Sequence, residues 1–238
     1  MKRFWSEVSV DAERGVRLDG KPVHTPGRLP LLLPNDVLAE AVADEWRSVE
    51  GEINPRAMPL TGLANAAIER IAADPALFAA GLAEYAESDL LCYRAQSPDD
   101  LIARQTASWD PPLDWARQRY DVHFEIVHGI MHRAQPVETI ERLAVAIATR
   151  DAFELAPLAP VVTITGSLVL ALALVERAFL SETIWAAANL DEDWQAERWG
   201  LDDLALRARE VRQADFDAAV RFLHLWQTAD EADHPALA

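Results

Sequence analysis

Cysteine is almost missing from this chain: Cys92 stands alone among 238 residues. No intramolecular disulfide can form, and nothing groups Cys92 with metal-ligand neighbours, so a reducing compartment fits. Glycine is scarce at nine, and none of it builds a phosphate loop. There is no G-x-x-x-x-G-K, no G-x-G-x-x-G after a strand and no G-x-S-x-G. Basic residues are outnumbered, 22 against 39 acidic, for a formal charge of -17. Such a surface repels phosphate backbones and anionic lipid heads, which makes nucleic acid and membrane surfaces poor partners, and it serves solubility first. No apolar stretch follows the opening M-K-R-F-W-S-E, so no signal peptide is expected there. No clean membrane span is present either. The longest apolar run, 160–179, is cut by Thr163, Thr165, Gly166 and Ser167 and ends at Glu176-Arg177. A bilayer crossing asks for about 20 such residues. The run reads as a short extended lead-in and then a helix over 167–180, apolar all round and therefore buried at the centre of a core.

What is present is half apolar: hydrophobic residues make up 50% of the chain, with eight tryptophans. That supports one large domain or two small ones without staples. The first thirty-odd residues read as β. Phe4 to Val10 partly alternates, Val16 to Leu18 is a short strand, and Asp19-Gly20 is a two-residue hairpin signal. Lys21 to Thr25 returns, and Leu29 to Leu33 is another short strand. At Asn35 or Asp36 a helix is capped, with Leu38, Val42, Trp46 and Val49 at helical spacing, so Trp46 is expected in the core where this helix meets the sheet. From there almost everything reads as helix: 60–73, 75–91, and a third from Ser97 to Trp109 that Asp110-Pro111-Pro112 interrupts before 113–120. Val122 to Ile130 alternates weakly, as a strand or extended link. Helices follow over 136–150 and 182–199, the latter with Ser181 as N-cap and Gly200 as C-cap, and over 204–227. Residues 229–238 read as a loose tail. The fold class is α+β: a small β-containing domain with one helix over 1–56, then a larger helical domain over 57–238.

Few constellations carry chemistry. His123, His128 and His132 lie close, but Gly129 falls between the last two, and a zinc site needs further ligands and a second shell. No metal is expected. The segment 182–199 is more informative. Trp185, Asn189, Glu192, Ala196 and Trp199 fall at i, i+4, i+7, i+11 and i+14, one stripe with a carboxylate between two tryptophans. Two readings stand: a core stripe with Glu192 paired to an arginine, or a partner-binding face with aromatic anchors around a charge.

Several short segments stand in a recognisable order. They are F-W-x-x-V from Phe4, V-R-L-D-G-K-P-V-H-T-P from Val16, A-D-E-W from Ala43, M-P-L-T from Met58 and A-x-x-x-I-E from Ala64. D-L-L-C-Y-R from Asp89, Q-x-x-x-W-D-P from Gln105 and L-D-E-D-W-Q-A-E-R-W-G from Leu190 complete the set. Together they resemble the assembly chaperones of ATP synthase that escort the α subunit of its F(1) sector. The resemblance implies a small β-containing domain on a larger helical one, no enzyme activity and no cofactor. It implies binding of the free α subunit before that subunit meets β. The family's important acidic residue lies in an E-x-x-Q segment, matched here by Glu192 and Gln195 within the run Asp191-Glu192-Asp193. The implied partner-binding set is Glu192, Trp185, Trp199, Asn189, Asp191 and Gln195. A cytoplasmic monomer is expected, the eukaryotic relatives working in the mitochondrial matrix.

Two other classes compete. One is an enzyme using Glu192, Asp191 or the histidines as acid/base groups; the other is an adaptor for different protein partners.

Overall fold

Asp19 and Gly20 turn the first hairpin with φ of 47° and 75°, the left-handed pair that a two-residue type I′ turn demands. The computed structural model describes residues 2–129 and 131–233, with side chains to residue 228. Strands β1 (Val8–Val10), β2 (Val16–Leu18) and β3 (Lys21–Pro22) form one antiparallel sheet in that order, with Val8 opposite Leu18 and Arg17 opposite Pro22. The Asp19 carboxylate accepts the N–H groups of Ser6 and Glu7 at 3.0 and 2.8 Å. These bonds hold its pKa below the ordinary aspartate value. The expected strand at Leu29 to Leu33 is not one. Only isolated bridges form, Gly15 to Leu32 and His24 to Pro30, because Pro30 has no N–H to extend a ladder. Leu31 and Leu33 are nonetheless buried.

Helix α1 (Asp36–Arg47) starts at Asn35, whose Oδ1 accepts the Leu38 N–H at 2.7 Å. Trp46 is half-buried rather than enclosed: its ring meets the covered Trp5 edge-on at 5.4 Å, and an indole is too large to vanish at a helix edge. Helix α2 (Pro59–Ala66) runs into a π turn over Ala67–Ile71. Glu69 in that turn accepts the Gly27 N–H. A Cβ at residue 27 would come within 2.7 Å of Glu69 Oε1, so a side chain there would push the glutamate away from this bond.

By contacts the chain divides into two units. The first holds residues 1–75, 151–157 and 215–238; the second holds 76–150 and 158–214. The first unit therefore continues past residue 56 through α2 and takes in two later segments. Its core gathers Trp5, Val16, Leu31, Leu38, Val42 and Leu60 with Phe222 from near the end of the chain. Phe153 stacks on Phe222 with ring planes 5° apart. The Asn35 amide nitrogen donates to the carbonyls of Leu225 and Trp226, each at 3.1 Å, so one side chain caps α1 and ties down a segment 190 residues away.

The second unit contains α3 (Pro75–Ala83, from its second residue), β4 (Tyr93–Arg94), α4 (Asp99–Tyr120), β5 (Val127–His128) and α5 (Val137–Ala148). It also takes most of α6 (Ala152–Thr165), with α7 (Leu168–Val175) after it. β4 and β5 pair in parallel, Tyr93 beside Val127, so the weakly alternating stretch 122–130 supplies a short strand; Ile130 is outside the described residues. Asp110-Pro111-Pro112 does not interrupt α4, which is helical from 99 to 120. Burial of Trp109, Pro112, Leu113 and Ala116 offsets the hydrogen bonds the prolines remove.

All eight residues of α7 are buried, as its unbroken apolar run demands. The expected extended lead-in is instead the last turn of α6, ended by Gly166 at φ 64°, and only Ser167 is extended. Ser167 Oγ accepts the Leu170 N–H at 3.0 Å and donates to buried Asp89 at 2.9 Å, whose carboxylate also accepts Val169 N–H at 3.0 Å. Among the described residues no helix is long and apolar enough to cross a membrane.

Candidate functional site

The segment 182–199 is two helices, α8 (Ser181–Ala188) and α9 (Leu190–Trp199), with the break at Asn189. The cap of α8 is Leu180, not Ser181. Asn189 causes the break and stabilises it: it is buried, and its Nδ2 and its backbone N–H both donate to the Trp185 carbonyl, at 2.9 and 3.1 Å. An asparagine side chain that competes for a helical carbonyl favours such a turn. The stripe is therefore divided. Trp185 is half-buried on α8, while Glu192, Ala196 and Trp199 share a face of α9 and Gln195 is exposed.

Asp191, Glu192 and Asp193 form the first turn of α9, where carboxylates complement the helix dipole. Each has its own partner. Asp191 Oδ1 accepts Gln105 Nε2–H at 2.8 Å, Glu192 Oε2 meets Arg212 Nη2 at 2.5 Å, and Asp193 meets Arg209. The two arginines lie on α10 (Asp203–Asp233). This helix extends beyond the expected 227 and includes 229–233, where a tail was expected; 234–238 are outside the described residues. Arg209 beside Asp193 and Arg212 beside Glu192 set α9 and the start of α10 antiparallel, joined by Gly200 at φ 77°.

Gln105 and its neighbours form the support behind the acids. Gln105 is buried and its Oε1 accepts the Ala95 N–H at 2.8 Å. Buried Arg94 bonds Asp110 at 2.7 Å and lies over the Trp109 ring, and the Trp109 N–H donates to the Ala187 carbonyl at 2.8 Å. Asp191 is thus anchored through a buried polar chain, whereas Glu192 and Arg212 remain about one-third exposed.

Trp194, which sequence reasoning passed over, anchors this end of the hairpin. It is buried, the Arg198 guanidinium sits 4.1 Å from its ring centroid, and its N–H reaches Asp100 at 3.3 Å. Burial opposes ionisation of Asp100, but the bonds from Trp194 and Arg198 bring its pKa below the ordinary value. Trp199 stands edge-on to Trp194 at 5.6 Å and is 73% exposed. Past the turn, Leu204 is 78% and Val211 61% exposed, with Ala208 exposed between them. Positions 204, 208 and 211 are i, i+4 and i+7 on one face of α10, beside the face that carries Arg209 and Arg212. Leu204, Ala208 and Val211 thus form an aliphatic ridge on α10, the helix whose Arg209 and Arg212 pair with the acidic first turn of α9, and Trp199 is exposed at the other end of α9. The signal for it was the same spacing rule, applied to a helix the sequence marks only as closing the fold.

The remaining candidates lie apart from this ridge. His123 N–H donates to Thr139 at 3.1 Å, His132 Nδ1 lies 3.0 Å from Tyr93 OH, and His128 is in β5. Among the described residues no three His, Cys, Asp or Glu side chains gather as a metal site. Burial, then the charge of Asp89, pushes the Cys92 thiol up, away from thiolate chemistry. A cleft of about 600 Å³ in the second unit is lined by Arg119, Tyr120, Arg142, Arg150 and Glu176. Three acids line it: Glu141, Asp121 paired with Arg142, and Glu176, which is fully engaged, accepting from Arg119 at 2.5 Å, Tyr120 at 2.8 Å and Arg150 at 2.7 Å. Burial works against its charge, but these bonds hold its pKa below the ordinary value, so it is a weak base.

Residues 2–117 match the model of the ATP12 chaperone protein family. A crystallised Atp12 from Paracoccus denitrificans is 39% identical, with a TM-score of 0.88 over 94% of this chain and 98% of that one. The chain belongs to the ATP12 chaperone family. A crystallised protein from Agrobacterium tumefaciens is 44% identical with the same TM-score, covering 94% of this chain and 85% of its own. The mitochondrial protein atp12 of Schizosaccharomyces pombe is 24% identical over 230 residues, 90% of this chain and 78% of that protein. The match to the Paracoccus structure covers nearly the whole of both chains, whereas the family model spans only residues 2–117.

Proposed function

We propose that this ATP12-family protein is a non-catalytic assembly chaperone of ATP synthase that binds the unassembled α subunit of the F(1) sector. It keeps that subunit from aggregating until the β subunit displaces it. The observation that carries the contact surface is the exposure of the Leu204 and Val211 ridge on α10 and of Trp199 on α9, the two helices joined through the acids of α9. An unassembled subunit exposes an apolar face that its partner later covers, and such faces aggregate. A holder has to cover that face and still release it. A modest apolar surface joined by charged pairs suits this better than a wide apolar interface. If β binds the same face more tightly, mass action completes the exchange without hydrolysis. We place the working protein in the cytoplasm as a monomer.

Glu192 is the proposed contact within the acidic turn, with Asp191 and Asn189 holding the turn in place and Trp185 and Gln195 completing its surroundings. Free, the Glu192–Arg212 pair is about one-third exposed and contributes little to stability, under about 1 kcal/mol. Docking would dry it. Removing Glu192 would then strand Arg212 in the interface, at a cost of about 2–5 kcal/mol of binding. The test pairs thermal melting of Glu192→Ala with its ability to hold α subunit soluble in a light-scattering assay. Unchanged melting with lost protection is expected. Full protection would remove Glu192 from the site, and melting and protection lost in proportion would make it a structural residue.

A further inference from the structure

Gln105 and Trp109 stand one turn apart on α4, and each bonds one side of the break at Asn189. The Trp109 N–H donates to the carbonyl of Ala187, in the last turn of α8, at 2.8 Å. A last-turn carbonyl has no donor within its own helix, and here the indole supplies one. Gln105 Nε2 donates to Asp191 Oδ1, in the first turn of α9, also at 2.8 Å. The Gln105 amide cannot turn over. Its other end meets the Ala95 N–H at 2.8 Å, and a backbone N–H bonds an oxygen there, not an NH₂ group. The NH₂ end is thereby committed to the Asp191 carboxylate. Both side chains are buried, Gln105 at 1% exposure. Replacing such a polar pair by apolar groups of the same shape is often close to neutral for stability. What a fully bonded buried amide adds is direction.

We propose that Gln105 is a positioning residue of the client site, which rests on the chaperone reading above. Its amide holds Asp191 and so sets the direction in which α9 leaves α8, and with it the places of Glu192 and Trp199. Asn189 lets the chain bend, because its side chain takes the Trp185 carbonyl, but that bond lies wholly on the α8 side and fixes no angle. The angle comes from α4, which is helical through both residues: Trp109 holds the end of α8 and Gln105 the start of α9. Glu192 is next to Asp191 and follows it directly. Trp199 lies about 12 Å further along the axis at 1.5 Å per residue, so a tilt of about 10° displaces it by about 2 Å. Gln105 itself touches no client; it acts through Asp191.

Two variants of the full chain test this. Gln105→Met keeps the bulk and removes both bonds. Gln105→Glu combined with Asp191→Asn keeps them: one oxygen of the new carboxyl accepts the Ala95 N–H and the other pairs with the new amide, whether or not that carboxyl is protonated. Three quantities are read: the melting midpoint, the fluorine NMR resonance of Trp194 in fluorotryptophan-labelled protein, and retention of α subunit in solution by light scattering. Trp194 reports α9 against α4, because its N–H reaches Asp100 of α4. Gln105→Met is expected to melt within about 4 °C of the unaltered protein and to shift the Trp194 resonance. It should retain α subunit about tenfold less well, the size of one charge-assisted hydrogen bond. The double variant is expected to keep the resonance and to retain α subunit within about twofold of the unaltered protein. An unmoved Trp194 resonance in Gln105→Met, or full retention by that variant, would overturn the proposal. Melting and retention lost in proportion would reduce Gln105 to a structural residue, and a double variant as deficient as Gln105→Met would overturn the role of the bond. If the unaltered protein retains no α subunit, the chaperone reading fails, and the Trp194 resonance, measured without the client, still decides whether Gln105 orients α9.

Discussion

Glu45 caps the helix that contains Thr61. Its Oε1 accepts the Leu60 N–H at 2.8 Å, and its Oε2 accepts both the N–H and the hydroxyl of Thr61, at 2.8 and 2.7 Å. Helix α2 has no side-chain cap of its own, since Met58 precedes it and Pro59 opens it. A residue fourteen positions upstream of that start therefore supplies the acceptors that the free N–H groups of a first turn require.

Glu45→Ala should consequently destabilise the first unit by about 1–2 kcal/mol, the usual worth of a cap. Burial, the largest influence, raises the Glu45 pKa despite the bonds from Thr61 and Leu60, so Glu45→Gln should cost less. Urea unfolding of both variants and of Thr61→Val checks this. The Glu45 and Thr61 effects should be non-additive in the double variant; strict additivity would mean the two residues act independently.

Asp89 should titrate far above an ordinary aspartate. It is fully covered, and burial pushes its carboxyl up to about 6 from 3.8. The folded state holds this proton more tightly than the unfolded state does. The group's stabilising contribution is therefore complete below about 3.8 and lost as pH rises through about 6, a swing on the order of 3 kcal/mol. Carboxyl carbon NMR should give a midpoint near 6. A midpoint under 4 would show that the bonds from Ser167 and Val169 outweigh burial.

Trp46→Arg should destabilise the protein by about 2–4 kcal/mol. Trp46 is not fully enclosed, so the arginine head can reach solvent, but the edge contact with Trp5 is lost. Differential scanning calorimetry decides; a midpoint within a degree or two of the unaltered protein would remove Trp46 from the structural core.

Leu204→Asp on the exposed face of α10 should leave thermal melting unchanged within about 0.5 kcal/mol, as surface changes do. It should still abolish retention of α subunit in solution, because a charge would enter the middle of the proposed interface. Val211→Asp should do the same. If both variants protect the client as well as the unaltered protein, the ridge is not the contact surface.

Much of this architecture is legible in the sequence because its short tags touch one another. A-D-E-W meets M-P-L-T through Glu45 and Thr61. The V-H-T-P turn meets I-E where Gly27 donates to Glu69, and Q-x-x-x-W-D-P meets D-L-L-C-Y-R and L-D-E-D through Gln105, Asp110 and Arg94. The hairpin at Asp19-Gly20 is equally local, since φ alone decides it. What misleads is local signal overruled by packing. Pro111-Pro112 reads as a break, yet buried Trp109 and Leu113 hold the helix through it. Pro160 reads as the start of an extended segment but lies within α6. Asn189, which does break a helix, has no proline or glycine beside it to announce the fact. For the candidate site, Glu192 and Trp199 do share a face, but Trp194 could not be singled out, since its role depends on Asp100, nearly a hundred residues earlier.

Phe222 has a consequence for how the protein is made. It belongs to the same core as Trp5 and Leu38, and Asn35 bonds the carbonyls just after it. A nascent chain emerging amino-terminus first would expose its β-sheet and α1 long before that phenylalanine is synthesised. At about 5–20 residues per second, the wait is on the order of ten seconds. During that interval this chaperone-family protein has an open apolar face of its own, and its first unit can close only when synthesis is nearly complete.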